Sequence, residues 1–409
     1  MEAGLRLYLV ITGGYWAFTI TDGAIRMLVV LYFHLLGYSP FEVAILFLFY
    51  EFFGIVTNLV GGWLGARIGL NLTMHIGMGL QVLALILLTV PESWLSVPYV
   101  MAAQALSGIA KDLNKMSAKA SVKTLIGEGD EPGLFKLVAV LTGSKNALKG
   151  AGFFVGAALL DAIGFRCALV ALATALAAVL VVTALILPAG VGKMSSRPKF
   201  AQMFSNLPAI NWLAGARFFL FGSRDVWFVV GLPVYLYTVL DWTFTGVGAF
   251  LATWIIGYGA VQTVTPKLLR RTNRGRGPDG ATARTWAALL VLLPAAMALA
   301  LRLDWDPNSV LIVGLIVFGA LFAINSAVHS YLILAYSERD RVSMNVGFYY
   351  MANAGGRLTG TMLSGWTYQV HGLEGCLWWS AAFVLAAAIL SLALPEVSSR
   401  ANDPKAASR

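Results

Sequence analysis

The chain has 409 residues, of which 58% are apolar and only 12% charged, and its mean hydropathy is +0.76. A water-soluble domain carries about 45–50% apolar and about 25% charged residues, so a soluble enzyme or binding module is excluded and an integral membrane protein is implied. The formal net charge of +9 fits nucleic acid, anionic lipid or membrane orientation, and its distribution along the chain separates these.

Twelve apolar segments follow one another, at 7–33, 43–64, 72–91, 97–120, 134–160, 166–187, 208–237, 243–266, 285–303, 309–336, 343–368 and 375–395. Each is long enough to cross a ~30 Å hydrocarbon core as a helix. The first carries Asp22 and Arg26 at its middle and is too long for a cleaved signal peptide. A polar stretch at 188–207, containing GVGKMSSRPK, separates two sets of six segments. The predicted fold class is therefore an all-α membrane protein with twelve transmembrane helices in two six-helix bundles, 1–187 and 208–396. Residues 188–207 form a cytoplasmic linker and 397–409 a cytoplasmic tail. Two equal halves suggest a duplicated transporter built from two bundles.

With the N-terminus in the cytoplasm, the cytoplasmic loops and tail hold seventeen Lys and Arg, against only Arg166 and Arg302 in the opposite loops. This positive-inside bias places both termini in the cytoplasm. The basic run Lys267–Arg284 then reads as a cytoplasmic loop rather than a nucleic-acid or acidic-lipid site. Lys119 reads as a residue of the cytoplasmic rim.

Eight cations remain inside segments: Arg26, Lys111, Lys115, Lys145, Lys149, Arg217, Arg224 and Arg357. They are accompanied by four carboxylates, Asp22, Glu51, Asp112 and Asp225. Facing lipid, each cation would cost about 2.5–3.5 kcal/mol even on the mildest scale. The total, ~20 kcal/mol, exceeds the whole stability of a typical fold. They must face a polar interior, and an excess of cations there suits an anionic ligand. The charges fall in segments 1, 2, 4, 5, 7 and 11, while segments 3, 6, 9 and 12 carry none in their apolar spans, Arg166 and Arg302 standing at segment ends. Every third helix is clean, as in nested three-helix repeats whose third member is peripheral; this is the architecture of the major facilitator superfamily.

Helical faces gather these residues. Lys111, Lys115 and Lys119 fall within about 80° on one face of segment 4, beside Asp112. Tyr15, Thr19, Asp22 and Arg26 share a stripe, with Asp22 and Arg26 an i, i+4 pair. Lys145 and Lys149 share another with Gly152 and Gly156, a small-xxx-small pair that suits close helix packing. Segment 7 offers Arg217 and Arg224 with Asp225, and segment 11 offers Asn345, Tyr349, Asn353 and Arg357. The substrate-binding set is thus Arg26, Lys111, Lys115, Lys145, Lys149, Arg217, Arg224, Arg357, Asn345, Tyr349 and Asn353. Asp22, Glu51, Asp112 and Asp225 are candidates for proton coupling or gating, Glu51 first because its own helix holds no cation. Asp22–Arg26 and Arg224–Asp225 read equally well as interhelical pairs. His34, His75, His329 and His371 have no metal-ligand spacing; His329 alone looks intramembrane and reads as packing or hydrogen bonding. The two cysteines, Cys167 and Cys376, form no thiol site. No phosphate-binding loop and no nucleophile–base constellation is present, so no cofactor or catalytic residue is assigned.

Two resemblances sharpen this reading. GGWLGARIGLN (Gly61–Asn71) is similar to the cytoplasmic loop signature of the major facilitator superfamily, with Gly62, Leu64, Arg67 and Gly69 in register. Ala66 stands in the usual acidic place, and Leu70 and Asn71 where basic residues are usual, so the signature's acid-based contact is absent. The chain also resembles the ArsJ family of organoarsenical efflux permeases. The stretches that carry this are YWAFTITDGAIRMLVVLYFHLLGYSP (Tyr15–Pro40), FLFYEFFGIVTNLVGGWLGARIGLN (Phe47–Asn71), AAQALSGIAKDLNKMSAK (Ala102–Lys119), LTGSKNALKG (Leu141–Gly150) and FLFGSRDVWFVV (Phe219–Val230). The resemblance implies export of 1-arseno-3-phosphoglycerate across the inner (plasma) membrane, in functional pairing with a glyceraldehyde-3-phosphate dehydrogenase that makes it from arsenate. Partners are then this anionic substrate and membrane lipid, with no nucleic acid. The competing readings are a carrier or exchanger of another organophosphate or organic anion and, from other classes, a membrane enzyme or a lipid scramblase.

Overall fold

The computed structural model describes residues 2–37, 46–125, 130–194, 199, 202, 204, 207–272 and 277–396. Part of the predicted linker 188–207 and all of the predicted tail 397–409 lie outside the described residues. Among those described the fold is all-helical, without a strand. The elements are α1 (Glu2–Leu35), α2 (Leu48–Ile68), α3 (Leu70–Leu87) and α4 (Val97–Leu125). Next, Glu131–Ile186 divides at Gly164 into α5 and α6. There follow α7 (Pro208–Phe228), the short α8 (Gly231–Thr238), α9 (Phe244–Thr272), α10 (Gly280–Arg302) and α11 (Pro307–Tyr336). Val342–Ser391 divides at Gly372 into α12 and α13.

Each predicted segment is helical within the described residues, 208–237 as two helices, α7 and α8, on either side of Val229–Val230. Eight helical stretches are long and apolar enough to cross a membrane. Two of these, Glu131–Ile186 with 56 residues and Val342–Ser391 with 50, would each exceed 70 Å if straight at ~1.5 Å per residue. Gly164 at φ 75° and Gly372 at φ 62° break them, in a region of backbone space that side chains avoid. Each stretch thereby becomes two rods of about membrane thickness. α4 is long enough to span, but Lys111, Asp112, Lys115 and Lys119 dilute its hydropathy. Helices whose charges keep to their ends turn apolar stripes outward: Leu72, Ile76, Leu83 and Ile86 on α3, Val181, Val182 and Leu185 on α6, Leu289, Leu292 and Leu299 on α10.

The chain forms two compact units. The first comprises Met1–Asp130, Leu141–Phe204 and Ser337–Ala354, the second Glu131–Val140, Ser205–Tyr336 and Gly355–Arg409. They differ from 1–187 and 208–396 in two places. The start of α12 belongs to the first unit because Gly62 and Gly347 let α2 and α12 meet backbone to backbone. A Cβ on Gly347 would lie 2.6 Å from Asn58 O and 2.7 Å from Gly62 Cα. Beside them Ser343 Oγ donates to Gly62 O at 2.7 Å. The start of α5 belongs to the second unit, where the Phe135 ring meets Tyr331 at 5.3 Å. Within the first unit, Gly152 and Gly156 let α5 press on α1: an added Cβ would meet Ile20 O and Ala24 O, both at 2.5 Å.

In each unit a segment just past a last helix is tied back onto the start of another. In the first, Leu70 N–H donates to Val191 O at 2.7 Å and Met194 N–H to Ala66 O at 2.8 Å. The Asn71 amide donates to Pro188 O at 2.8 Å. Where the loop signature lacks its acidic and basic residues, backbone and amide bonds to 188–194 hold the loop. In the second, Pro395 O accepts from Gly280 N–H at 3.2 Å and from Tyr336 Oη at 2.9 Å, and Arg284 pairs with Glu396.

Candidate functional site

The first unit gathers six of the chain's cations. On α1, Asp22 is buried at 3% exposure and both its oxygens are engaged. Tyr50 Oη donates to Oδ1 at 2.5 Å, and Lys149 Nζ lies 3.2 Å from Oδ2. Arg26, expected to pair with Asp22 along its own helix, stacks over the rings of Tyr50 at 4.6 Å and Phe47 at 5.1 Å and acts on Asp22 through space. The Tyr50 ring also carries Lys111 Nζ at 3.8 Å and Lys149 Nζ at 5.9 Å. A π face attracts cations most strongly when water is excluded, and here one tyrosine serves three.

One turn along α4, Asp112 is equally buried and accepts from Lys115 while Lys111 stands 3.9 Å away. Lys115 lies over the Tyr350 ring at 4.4 Å. Lys119 was expected at the cytoplasmic rim; the structure buries it to 2% exposure and sets its ammonium 3.0 Å from Tyr350 Oη. The i, i+4 spacing puts all three lysines on one face, and α12 brings the tyrosine that covers two of them. Tyr15 stands near Asp22, Asp112 and Tyr350. On α5, Lys145 is half-buried near Lys111, Lys115 and Lys149, with Asp22 as the carboxylate in its field, and it makes no hydrogen bond or ion pair among the described residues. Of the remaining candidates here, Asn345, Tyr349 and Asn353 are buried on α12. Asn345 Nδ2 has no partner among the described residues, and the Tyr349 ring packs on Tyr350 at 5.3 Å. Glu51 lies on α2, and its side chain lies outside the described residues.

The second unit holds Arg217, Arg224 and Arg357 with Asp225. Asp225 is fully buried and chelated from both sides: Arg224 reaches Oδ1 at 2.6 and 2.7 Å, and Arg357 Nε reaches Oδ2 at 2.9 Å. Planar guanidinium forks suit this two-sided binding. Arg217 covers the Phe221 ring at 3.7 Å and donates to Ser326 O and Oγ at 3.4 and 3.3 Å. Gln262 Nε2 reaches the same hydroxyl at 3.1 Å. His329, beside Arg217, is buried with both ring nitrogens unpartnered among the described residues.

The sequence-derived cations therefore form two clusters, each described within its own unit. Tyr50 and Tyr350, the two rings that organise the first, were not singled out from sequence, because an aromatic in an apolar segment carries no mark of its neighbours. Among the described residues no group of three or more His, Cys, Asp or Glu is placed to hold a metal.

No curated protein sequence matches the chain significantly. Among solved structures, the human organic anion transporter MFSD10 (TETRAN) is similar at TM-score 0.74 and 15% identity, over 95% of this chain and 99% of that one. A bacterial homologue of the iron transporter ferroportin, in its outward-facing state, is similar at TM-score 0.74 and 15% identity, over 95% and 98%. The E. coli fucose:proton symporter follows at TM-score 0.72 and 10% identity, over 95% and 98%. At such identities the likeness is one of fold. The sequence profile of the Major Facilitator Superfamily matches residues 11–327, most of the chain, and the protein belongs to that superfamily.

Proposed function

We propose that this protein exports 1-arseno-3-phosphoglycerate by alternating access, detoxifying arsenate, and that the first unit's lysine cluster binds its anionic groups. As a member of a transporter superfamily the chain is a secondary transporter rather than an enzyme; the substrate is the proposal. One observation carries it: among the described residues, six buried or half-buried cations, Arg26, Lys111, Lys115, Lys119, Lys145 and Lys149, gather around two carboxylates, Asp22 and Asp112, and Lys145 makes no hydrogen bond or ion pair with a described residue. An uncompensated charge in a low-dielectric interior is costly, and a ligand bearing phosphate, carboxylate and arsenate groups removes that cost. Ammonium groups act as mobile point charges and suit tetrahedral oxyanions of either element. In the proposal Arg217, Arg224 and Arg357 are further anion contacts, the protein sits in the inner membrane with both termini cytoplasmic, and a glyceraldehyde-3-phosphate dehydrogenase supplies the substrate.

A second reading, a carrier of another organic anion, draws support from the same cluster and from the fold shared with an organic anion transporter. Arsenate tolerance of cells supplying the dehydrogenase separates them. Wild type raises tolerance, and Lys111→Ala and Lys145→Ala abolish the gain. Undiminished tolerance in both variants sinks the site; no gain from wild type sinks the substrate.

A further inference from the structure

We infer that His329 is the proton-binding residue of this carrier, protonated when an anion engages Arg217, so that anion and proton are carried together. The inference rests on the anion-carrier reading above, with Arg217 among the anion contacts, and adds what is coupled to the anion.

The geometry is that of one turn of α11. Ser326, His329 and Ser330 fall at i, i+3 and i+4 on one face of the helix, and each is at most 1% exposed. Ser326 is engaged: Arg217 Nη1 donates to its O at 3.4 Å and its Oγ at 3.3 Å, and Gln262 Nε2 to the same Oγ at 3.1 Å. Three residues on, neither ring nitrogen of His329 has a hydrogen-bond partner among the described residues, nor has Ser330 Oγ. A histidine that serves hydrogen bonding turns a nitrogen to a carbonyl or hydroxyl, because a buried polar group left unbonded is costly. This ring does not, and its other property, a charge that changes near neutral pH, comes forward.

The surroundings decide what that charge meets. Arg217 on α7 is the charged group that acts on the ring among the described residues. It is itself 3% exposed and covers the Phe221 ring. Asp225 stands eight residues farther along α7, about 12 Å at ~1.5 Å per residue, and is held through both oxygens by Arg224 and Arg357. On α9 the Tyr258 phenol precedes Gln262 by a turn, and Lys267, Arg270 and Arg271 follow it; α10 carries Arg284 and Arg302 near its two ends. Tyr331, two residues on, packs on Phe135 and has Glu131 and Asp279 in its own field. A proton on His329 would therefore set a second positive charge beside Arg217. An anion on Arg217 reverses this, supplying the opposite charge and an oxygen to which the imidazolium donates. By linkage, the proton then strengthens anion binding as much as the anion strengthens proton binding. The ligand proposed above carries several negative charges, so with one proton it remains an anion and an inside-negative membrane still favours its exit. Asp22, Asp112 and Asp225 are each bonded to Lys or Arg, and a proton on any of them strands a cation. Glu51 is the rival.

The test uses the purified full chain in liposomes with an entrapped pH dye and radiolabelled 3-phosphoglycerate outside. Making the outside one pH unit more acid should speed uptake about fivefold or more and acidify the lumen, a one-proton linkage allowing up to about tenfold per unit. His329→Gln should cut that effect to less than about twofold. It should still exchange internal for external 3-phosphoglycerate at equal pH, since exchange needs no net proton movement. His371→Gln, at an exposed histidine, should keep the full effect. A wild-type effect below about twofold overturns the inference whatever the variants do, and anion exchange without the effect leaves the carrier standing. An equal effect in His329→Gln overturns it as well, because the anion's own protonation then suffices. Loss in Glu51→Gln with retention in His329→Gln moves the proton to Glu51 and overturns it too. No movement of 3-phosphoglycerate at any pH overturns the carrier reading together with the inference.

Discussion

The two charge clusters hold the same ratio of cations to described carboxylates, six to two in the first unit and three to one in the second, yet they are built differently. The second is an arginine cluster. Asp225 is gripped through both oxygens, and the remaining charge is spread over rings, with Arg217 on Phe221 and Arg224 near Phe221, Phe228 and Phe322. The first is a lysine cluster on two tyrosines with one ammonium, Lys145, that bonds no group among the described residues. Arginine stays charged and pre-organised, whereas lysine is a strongly hydrated point charge. The difference teaches that the arginine cluster is largely satisfied by the protein itself, whereas in the proposed function the lysine cluster is completed by the ligand.

That contrast breaks most readily at Asp225. Asp225→Asn strands Arg224 and Arg357 and should destabilise the protein by about 3–5 kcal/mol, read as a large loss in thermal unfolding in detergent. A loss below about 1 kcal/mol would mean that the arginines, too, wait for a ligand. Lys145→Met should behave in the opposite sense, abolishing transport while raising ligand-free stability by ~1 kcal/mol, because it removes a half-buried charge that no described carboxylate bonds. Destabilisation of the ligand-free protein would show that Lys145 is structurally held after all. Tyr50 sharpens the comparison within the first unit. Tyr50→Phe keeps the ring and loses the bond to Asp22, about 1.5 kcal/mol. Tyr50→Leu also loses the π face under Lys111 and Arg26, about 1 kcal/mol more, so substrate affinity measured by calorimetry should fall in that order. The smallest effect belongs to the exposed pair Arg284–Glu396: Glu396→Gln should cost less than about 1 kcal/mol and leave transport unchanged.

Much of the fold was legible because lipid leaves a chain few choices. Long apolar runs announce helices, and the cost of a lipid-facing charge announces that Lys111, Lys145 or Arg217 must point inward. Two breaks were legible as well, since the gaps between predicted segments at 160–166 and 368–375 contain Gly164 and Gly372. The partners were not. Helical periodicity places Asp22 and Arg26 on one stripe, but only packing shows that Lys149 and Tyr50 take the carboxylate while Arg26 takes the ring. Lys119 was misplaced because a basic residue near a helix end reads as topological until Tyr350 is seen beside it. The assignment of Ser337–Ala354 to the first unit depends on two glycines, Gly62 and Gly347, that lie 285 positions apart and become meaningful only in contact.

The tie between 188–194 and the Ala66–Asn71 loop has a practical reading. A tether between halves is the natural place to insert a reporter, a protease site or a break for co-expressing fragments, because free loops accept such changes. Here the first seven residues of that tether are bonded parts of the first unit: Pro188, Val191 and Met194 each hold a partner on the loop opposite. Insertions belong beyond Met194, and fragments cut before Pro188 would leave the loop without its fastening. The same logic sets the other end, where Pro395 closes the second unit and a fused reporter belongs after Glu396.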